Sequence, residues 1–593
     1  MTRPDLLETL HTTFGFSAFR GVQARVIERV MARQSTLAVM PTGAGKSLTY
    51  QLPSVMLEGT CVVISPLIAL MHDQLRAAEA NGIRAASLTS ADQNREATIE
   101  RFRGGELDLL YVAPERASQP HFRELLGAAR LSLFAIDEAH CVSEWGHDFR
   151  PDYRLLRPLM DAFAAVPRLA LTATADAHTR ADILVQLGIA AEGLIVAGFD
   201  RPNIHYAIRH RDNPVRQLTR LMAEQPGPGI VYAPTRRKTE ELAEKLADAT
   251  GRAVLPYHAG LDPAVRAANQ ARFVASEDMV MVATVAFGMG IDKPDVRFVA
   301  HAGIPKSIEA YYQETGRAGR DGDPALALML WGADDFARAR MRLGEIEEER
   351  RAGERTRLDA LAALVETGTC RRALLLRHFG EDPPERCGNC DNCREAPGLI
   401  DATQVAQKLL SAVYRTGQSF GYGHIEKVLA GASDERIELR GHDRLSVFGI
   451  VSEEEAHLLR PVVRALQARG SLIATEHGGL ALGGDARAIL RGELTVPIAI
   501  APKPEKVRKT RRGERGGAVN PVGDPLFEAL RALRRDRAAG LGVPPYVVFH
   551  DSTLREMAER RPATLAEMGE IGGVGARKLE AHGEAFLELI QAY

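Results

Sequence analysis

Short apolar runs alternate with helix-forming stretches up to about residue 335. Apolar runs of this length, each followed by polar or helix-starting residues, are typical of buried parallel strands joined by helices. The first set of predicted strands covers residues 36–40, 61–65, 109–112, 131–136 and 169–172, and the second covers residues 229–232, 253–257, 279–283 and 296–301. The pattern predicts two parallel α/β units that join near residues 199–203.

The chain changes character after the second unit. Residues 335–366 are charged and helical in pattern, and residues 400–495 are helix-rich. Residues 501–517 carry seven lysines and arginines against two glutamates, among glycine and proline, which predicts a flexible basic linker. Residues 524–593 read as a small helical module, and a length of 593 residues fits about four domains.

Composition excludes some classes of protein. The formal net charge is −2, so contact with nucleic acid must come from local basic patches. The first residues do not resemble a signal peptide, and no apolar run approaches the roughly 18 residues of a membrane span. We therefore expect a cytoplasmic protein with no membrane partner.

A glycine-rich segment follows the first predicted strand. It reads Met40-Pro41-Thr42-Gly43-Ala44-Gly45-Lys46-Ser47, and its backbone N–H groups suit a loop around phosphates. Lys46 supplies a cation for the β and γ oxygens, and the Ser47 hydroxyl can bind Mg²⁺. Met40 replaces the usual first glycine, a form similar to that of superfamily 2 helicases.

Acidic residues follow the predicted strand at 131–136. Asp137 and Glu138 stand at its end, in a sequence Asp-Glu-Ala-His that closes at His140. Strand ends are where open α/β sheets bind their ligands. The spacing predicts that Asp137 holds Mg²⁺ and that Glu138 orients the attacking water, while His140 couples the site to its neighbours. With the glycine-rich loop, this predicts an ATP-driven motor.

Four of the six cysteines are clustered. They are Cys370, Cys387, Cys390 and Cys393. Two overlapping Cys-x-x-Cys steps suit tetrahedral thiolates around Zn²⁺, and four thiolates make a closed, structural site. Disulfides and a redox Cys-x-x-Cys are the alternatives, which a chain without a secretion signal disfavours.

Further motifs occur in a fixed order. They are FGFSAFRGVQ at 14–23, CVSEWGHDFR at 141–150, LTATA at 171–175 and YQETGRAGR at 312–320. With the glycine-rich loop, they resemble the motifs of bacterial RecQ DNA helicases over essentially the whole chain. The resemblance implies two RecA-like parallel-sheet lobes (1–200 and 201–335), a zinc-binding helical region (336–400) and a winged helix (401–500). The basic linker (501–523) and an all-helical helicase-and-RNase-D C-terminal domain, HRDC (524–593), complete the chain.

The resemblance also assigns nucleotide contacts. The Gln23 amide matches adenine N6 and N7, and Phe16 and Arg20 can stack on the ring. Arg317 and Arg320 would reach the phosphates from the second lobe; we expect Arg320 to be the arginine finger, although the two roles could be exchanged. The other nucleotide-binding positions are Thr42, Gly43, Ala44, Gly45, Lys46, Ser47 and Asp292. Asp292, with Gly288 and Gly290, resembles the helicase segment that couples the state of the bound nucleotide to the DNA track.

DNA contacts are expected at four places. In the family, the loop containing Trp145, His147, Phe149 and Arg150 senses single-stranded DNA, and stacking with phosphate binding suits these residue types. Residues 65–67 and Thr89 resemble contacts to the DNA backbone, while His442 and Arg444 stand at the start of a winged-helix segment. A possible wing at 473–480 has no prominent aromatic wedge. In the C-terminal module, the candidates are Tyr546, Arg577 and Lys578.

Two other functions compete with this one. An RNA helicase uses the same motor, and a non-catalytic tether could keep the fold without the catalytic residues. We favour an ATP- and Mg²⁺-dependent DNA helicase with a structural Zn²⁺. The resemblance implies 3′–5′ movement and action on single-stranded and branched DNA in repair, recombination and replication. The resemblance further implies a monomer at the nucleoid, with single-strand-binding protein as a partner.

Overall fold

The computed structural model describes residues 3–66, 68–89, 92, 94–143, 150–287, 293–395, 398–475, 479–500 and 524–593. Two parallel sheets dominate the first half of the chain. Their strands are buried runs of aliphatic residues, as expected for sheets covered by helices on both faces.

The first lobe contains a seven-stranded sheet of order β3-β4-β2-β5-β6-β1-β7. Its strands are β1 (Thr36–Val39), β2 (Thr60–Ile64), β3 (Ala85–Leu88), β4 (Leu109–Val112), β5 (Leu131–Ile136), β6 (Arg168–Thr172) and β7 (Leu194–Val196). Its helices are α1 (Arg3–Phe14), α2 (Gln23–Met31), α3 (Leu48–Met56), α4 (Ile68–Ala80), α5 (Arg95–Arg103), α6 (Pro114–Ala117), α7 (Pro120–Gly127), α8 (Pro151–Arg154), α9 (Leu156–Asp161) and α10 (Ala177–Leu187). Because β2, β5, β6 and β1 are parallel neighbours, the loops after them meet at one sheet edge.

The second lobe contains a six-stranded sheet of order β10-β11-β9-β12-β13-β8. Its strands are β8 (Ile204–His210), β9 (Gly229–Tyr232), β10 (Val254–Tyr257), β11 (Val280–Ala283), β12 (Phe298–His301) and β13 (Ala325–Trp331). Its helices are α11 (Pro214–Glu224), α12 (Arg236–Thr250), α13 (Pro263–Ala275) and α14 (Ile308–Thr315). The two predicted parallel units are confirmed, although the sequence reading omitted β3, β7, β8 and β13.

Helices build the next two regions. The cysteine-rich region contains α15 (Ala333–Leu343), α16 (Glu348–Glu366), α17 (Arg371–His378) and α18 (Asp391–Arg394). The region after it contains α19 (Thr403–Arg415), α20 (Tyr422–Ala430), α21 (Glu435–Leu439), α22 (Glu453–Arg469) and α23 (Ala486–Leu490). Two antiparallel pairs accompany them, β14 (Gly398–Asp401) with β17 (Pro497–Ile500), and β15 (Leu472–Ala474) with β16 (Leu480–Leu482). The second pair flanks the predicted wing, whose residues 476–478 lie outside the described residues.

The C-terminal module is helical, as predicted. It contains α24 (Pro525–Leu541), α25 (Pro545–Val548), α26 (Asp551–Arg560), α27 (Leu565–Gly569) and α28 (Ala576–Ala592), around its own apolar core. The predicted linker at 501–523 lies outside the described residues. Within the described parts of the chain, no helix is both long and apolar enough to cross a membrane.

Candidate functional site

The glycine-rich loop lies between β1 and α3, at the edge where the strand-end loops meet. Gly43 and Gly45 have positive φ values of 84° and 71°, which favour glycine. A Cβ on Gly45 would lie 2.4 Å from Nε2 of Gln23, so a larger residue would displace that amide from the loop. Lys46 Nζ donates a 3.3 Å hydrogen bond to the Met40 carbonyl, which holds the ammonium over the loop.

Gln23 is tied to this loop through both ends of its amide. Its Oε1 accepts a 2.9 Å hydrogen bond from the Arg20 backbone N–H, and its Nε2 donates to the carbonyls of Ala44 (2.9 Å) and Gly45 (3.2 Å). The Arg20 guanidinium lies 5.9 Å from the centre of the Phe16 ring. An adenine would therefore replace contacts that these side chains already make, and its recognition by them stays a prediction.

The acidic pair follows β5. The Asp137 backbone N–H donates to the Ile64 carbonyl at 2.9 Å, which fixes it beside β2. Burial is the main reason that the pKa of Asp137 rises to about 7; the neighbouring Glu138 charge adds to the rise, and Lys46 opposes it. A cation at this position would favour the ionised carboxylate, because it would offset the cost of burial.

Glu138 has a left-handed backbone, with φ of 48°, as the chain turns into a 3-10 segment at Ala139–Val142. Its Oε2 is buried and, among the described residues, has no hydrogen-bond partner; it lies 3.3 Å from His140 Nδ1. That nitrogen is 2.9 Å from Thr172 Oγ1 at the end of β6. A buried carboxylate oxygen with a free lone pair fits a group that orients a water molecule.

The second lobe contributes arginines to the same place. The Cγ atom of Arg320 lies 3.3 Å from where a Cβ of Gly43 would stand. Arg317 is 6% exposed and lies in the same segment after α14. The structure thus brings cations of the second lobe against the phosphate loop of the first. These residues fit a bound Mg²⁺–nucleotide: backbone N–H groups and Lys46 for phosphates, with Ser47 and Asp137 as oxygen ligands.

Arg201 is a site residue that the sequence reading missed. Its Nη1 donates to the carbonyls of Thr42 (2.8 Å) and Gly316 (3.1 Å), and its Nη2 donates to those of Ala318 and Gly319 (both 2.9 Å). One guanidinium therefore joins the phosphate loop to the turn that carries both arginines. Arg201 lies in the segment 199–203 that joins the lobes, and no sequence motif marks it, because its partners come together only in the folded protein.

The four clustered cysteines come together as predicted. Their sulfur atoms all lie within 4.8 Å of one another, and those of Cys370 and Cys390 are 3.9 Å apart. A tetrahedron with Zn–S distances of about 2.3 Å has edges of roughly 3.8 Å, so the spacing fits Zn²⁺. The Arg371 Nε donates to Asp391 Oδ1 at 2.8 Å and holds α17 against α18 beside the sulfurs. A bound Zn²⁺ would therefore join the start of α17 to the segment that contains α18.

Family models match the chain in the order of these regions. They are DEAD/DEAH box helicase (20–183), helicase conserved C-terminal domain (213–322), RecQ zinc-binding (333–394), RQC domain (396–507) and HRDC domain (524–590). The chain is 41% identical to the ATP-dependent DNA helicase RecQ of Haemophilus influenzae, over 100% of this chain and 96% of that one. It is 39% identical to the ATP-dependent DNA helicase RecQ of Bacillus subtilis, over 98% and 97% of the two chains.

The chain belongs to the RecQ family of ATP-dependent DNA helicases. Trp145, His147 and Phe149 of its predicted DNA-sensing loop lie outside the described residues, as do Leu67, Gly288, Gly290 and Asp292. The end of the loop is described. Arg150 Nη1 donates to the Pro66 carbonyl at 3.0 Å, and the Tyr153 hydroxyl donates to the Asp137 carbonyl at 2.9 Å.

Two residues that were predicted to contact the DNA backbone are buried in this structure. The side chains of Ser65 and Thr89 are both inaccessible, and Thr89 Oγ1 donates to Asp92 Oδ2 at 2.9 Å. Their role in binding DNA stays a prediction that would require them to become accessible.

In the RQC region, the candidate DNA contact His442 is buried and already has partners within the protein. His442 is 7% exposed, its Nδ1 lies 2.8 Å from Nε2 of His424, and its ring packs edge-on against Phe420. Burial lowers the pKa of His442, which favours a neutral imidazole. The side chain of Arg444 is 87% exposed and remains the better candidate for a phosphate contact.

The HRDC domain of this RecQ-family chain contacts the second lobe through Arg534 and Glu277, and it contacts the first lobe through the segment at 573–577. The Gly573 N–H donates to the Gly15 carbonyl at 2.9 Å, and Arg577 Nη1 donates to the Glu79 carbonyl at 3.0 Å. Tyr546 stacks on His550 with ring centres 6.2 Å apart. Burial lowers the pKa of Lys578 to about 8. Arg577 is therefore engaged with the first lobe in this conformation, so DNA binding by it would require the module to move.

Proposed function

We propose that this RecQ-family helicase uses Mg²⁺ and ATP to move 3′ to 5′ along one DNA strand and to unwind forks, flaps and recombination intermediates. The observation that carries the proposal is the position of Arg320 beside Gly43 of the phosphate loop. Next to it, Arg201 donates hydrogen bonds to carbonyls of both lobes. A nucleotide between these surfaces would tie the lobes together, and hydrolysis would release them.

Each residue of the cleft has a task. Lys46 and the backbone N–H groups of the loop bind the β and γ phosphates. Ser47 and Asp137 would hold Mg²⁺, and a bound Mg²⁺ would supply positive charge beside the phosphates. Glu138 orients the attacking water. Arg320 stabilises the γ-phosphate in the transition state, with Arg317 in support and His140 linking Glu138 to β6.

The other regions would direct this motor to its substrate. The cysteines hold Zn²⁺ as a structural ion, since four thiolates leave no open position for water. Arg444 and the RQC region would bind duplex phosphates, while the loop at 144–149 would stack on unpaired bases. In this proposal the domains that carry out these steps end at residues 200, 335, 400, 500 and 523. We further propose a monomer that works at the nucleoid with single-strand-binding protein.

The direct test uses one labelled DNA fork with a 3′ tail, a 5′ tail or an RNA 3′ tail. The wild-type protein with Mg²⁺ and ATP should separate the 3′-tailed fork and leave the 5′-tailed fork largely intact. Preference for the 5′ tail would contradict the polarity. A motor that binds mainly the sugar-phosphate backbone can act on DNA or on RNA. Equal or faster unwinding of the RNA-tailed fork would therefore favour an RNA remodeller.

A further inference from the structure

Gln74 joins helix α4 to both proposed Mg²⁺ ligands. The Tyr50 hydroxyl donates to Gln74 Oε1 at 3.0 Å, and Gln74 Nε2 lies 3.4 Å from Ser47 Oγ. The amide also lowers the pKa of Asp137, against the larger effect of burial, which places it beside that carboxyl. One half-buried amide therefore bonds the hydroxyl, and lies beside the carboxylate, that fit the cation.

The orientation of this amide is fixed by its neighbours. Tyr50 is 1% exposed, and its ring packs edge-on against Tyr111 at 6.5 Å, so its hydroxyl has little freedom to move. A hydroxyl that donates to the amide oxygen leaves the NH₂ group to face the other side. The NH₂ group then faces Ser47 Oγ and the neighbouring Asp137 carboxylate, and it has one N–H for each of them.

Helix α4 also reaches the predicted DNA side of the lobe. It begins at Ile68, directly after the segment whose Pro66 carbonyl accepts the hydrogen bond from Arg150. Arg150 closes the loop in which the sequence predicts single-stranded DNA contacts. Gln74 lies less than two turns into the same helix, so a shift of the segment at 65–66 moves the amide with it.

We propose that Gln74 is a positioning residue that holds Ser47 and Asp137 in place for Mg²⁺ and transmits DNA binding to them through α4. This inference rests on the proposed Mg²⁺–ATP hydrolysis. In this role Gln74 would contact neither substrate nor metal. It acts as the outer partner of two metal ligands, a role whose loss typically costs about 10- to 100-fold in metal affinity or activity.

The competing explanation is that Gln74 only satisfies the buried Tyr50 hydroxyl. That explanation predicts a loss of stability without any change in Mg²⁺ dependence. Two substitutions separate the explanations: Gln74→Leu removes every hydrogen bond of the amide, and Tyr50→Phe frees its oxygen while keeping the ring. Gln186→Leu is the matched control, since Gln186 donates at 3.1 Å to Asp182 within α10 of the same lobe and has no other side-chain hydrogen bond in the described part of the chain.

The experiment measures the Mg²⁺ concentration for half-maximal binding of a fluorescent ATP analogue, and ATP turnover with and without saturating single-stranded DNA. We expect Gln74→Leu to raise that Mg²⁺ concentration, or to lower DNA-stimulated turnover, by about 10- to 100-fold. Tyr50→Phe should shift both in the same direction by less, and Gln186→Leu should match the wild type.

Values within twofold of the wild type for a folded Gln74→Leu protein would overturn the inference. If that variant does not fold, unchanged values for Tyr50→Phe would overturn it instead. A wild-type protein without DNA-stimulated turnover would contradict the proposed function, whereas the Mg²⁺ dependence of analogue binding would still test Gln74 alone.

Discussion

Arg201 Nη1 lies 2.8 Å from the carbonyl oxygen of Thr42, and the other nitrogen of the same guanidinium bonds the turn that precedes Arg320. The phosphate loop and the arginine turn therefore share one side chain across the cleft. Because catalysis of phosphoryl transfer depends on positioning, this residue should matter although it need not touch the nucleotide.

Arg201→Ala should lower DNA-stimulated ATP turnover by about 10- to 100-fold, since small displacements of catalytic groups have effects of this size. Nucleotide affinity should change much less, because the loop backbone and Lys46 remain. Steady-state turnover and equilibrium binding of an ATP analogue would show this. Arg209→Ala, which removes an exposed ion pair with Glu395, is the control. Equal losses of turnover in both variants would contradict the prediction.

Glu138→Gln should trap ATP. The phosphate loop and the proposed metal ligands are unchanged in this variant, while the amide no longer accepts a proton from the water, a role worth about 10²- to 10⁴-fold. Filter binding of labelled ATP, together with single-turnover hydrolysis, would detect bound and unhydrolysed nucleotide. Rapid multiple turnover by this variant would show that another residue activates the water.

The residues of the phosphate site and of the zinc site could be predicted from sequence, because each belongs to a short motif whose chemistry fixes the residue type. Lys46, Asp137 and the four cysteines are of this kind, and the structure brings each group together. Gln74, Tyr153 and Arg201 are different. Their roles depend on which strand ends and helices meet in space, and no local spacing encodes those contacts.

Strand prediction failed for a related reason. In β13 (Ala325–Trp331), alanine and leucine favour helices, so pairing with β8 and β12 decides the conformation. The burial of His442 also depends on a distant partner, His424 on α20. Local patterns report helix caps and apolar faces, and they do not report which polar side chains become neighbours.

Cys390→Ser should destabilise the zinc region. Closed thiolate sites contribute their binding energy to folding, so the loss of one ligand should lower the melting temperature and make residues 336–395 sensitive to protease. Native mass spectrometry of the wild type should find one Zn²⁺ per chain. Cys61→Ser, a buried cysteine of β2 outside the cluster, should keep the zinc. A folded, active wild-type protein without zinc would reject the four-cysteine site.

Glu277 should hold the HRDC domain against the second lobe. Its carboxylate accepts hydrogen bonds from Arg534 (2.6 Å), Arg531 (2.8 Å) and Arg535 (2.8 Å), and its side chain is 11% exposed. Glu277→Lys should release the domain and increase the radius of gyration in small-angle X-ray scattering. The wild type should expand in the same way as salt screens the ion pairs.

Glu224→Lys is the matched control, because Glu224 forms an ion pair with Arg220 one turn away on α11 and, within the described residues, none with the HRDC domain. This variant should keep the wild-type radius at low salt. A radius for Glu277→Lys that equals the wild type, with no dependence on salt in either protein, would show that these arginines do not hold the domain.

The central claim is that ATP hydrolysis between the lobes drives strand separation, and simultaneous recording of phosphate release and strand separation on a 3′-tailed fork tests it most directly. The wild type should show both signals together. Lys46→Ala, which removes a charge and little packing, should bind the fork with similar affinity and show neither signal. Strand separation by Lys46→Ala at the wild-type rate, or by the wild type without phosphate release, would contradict the claim.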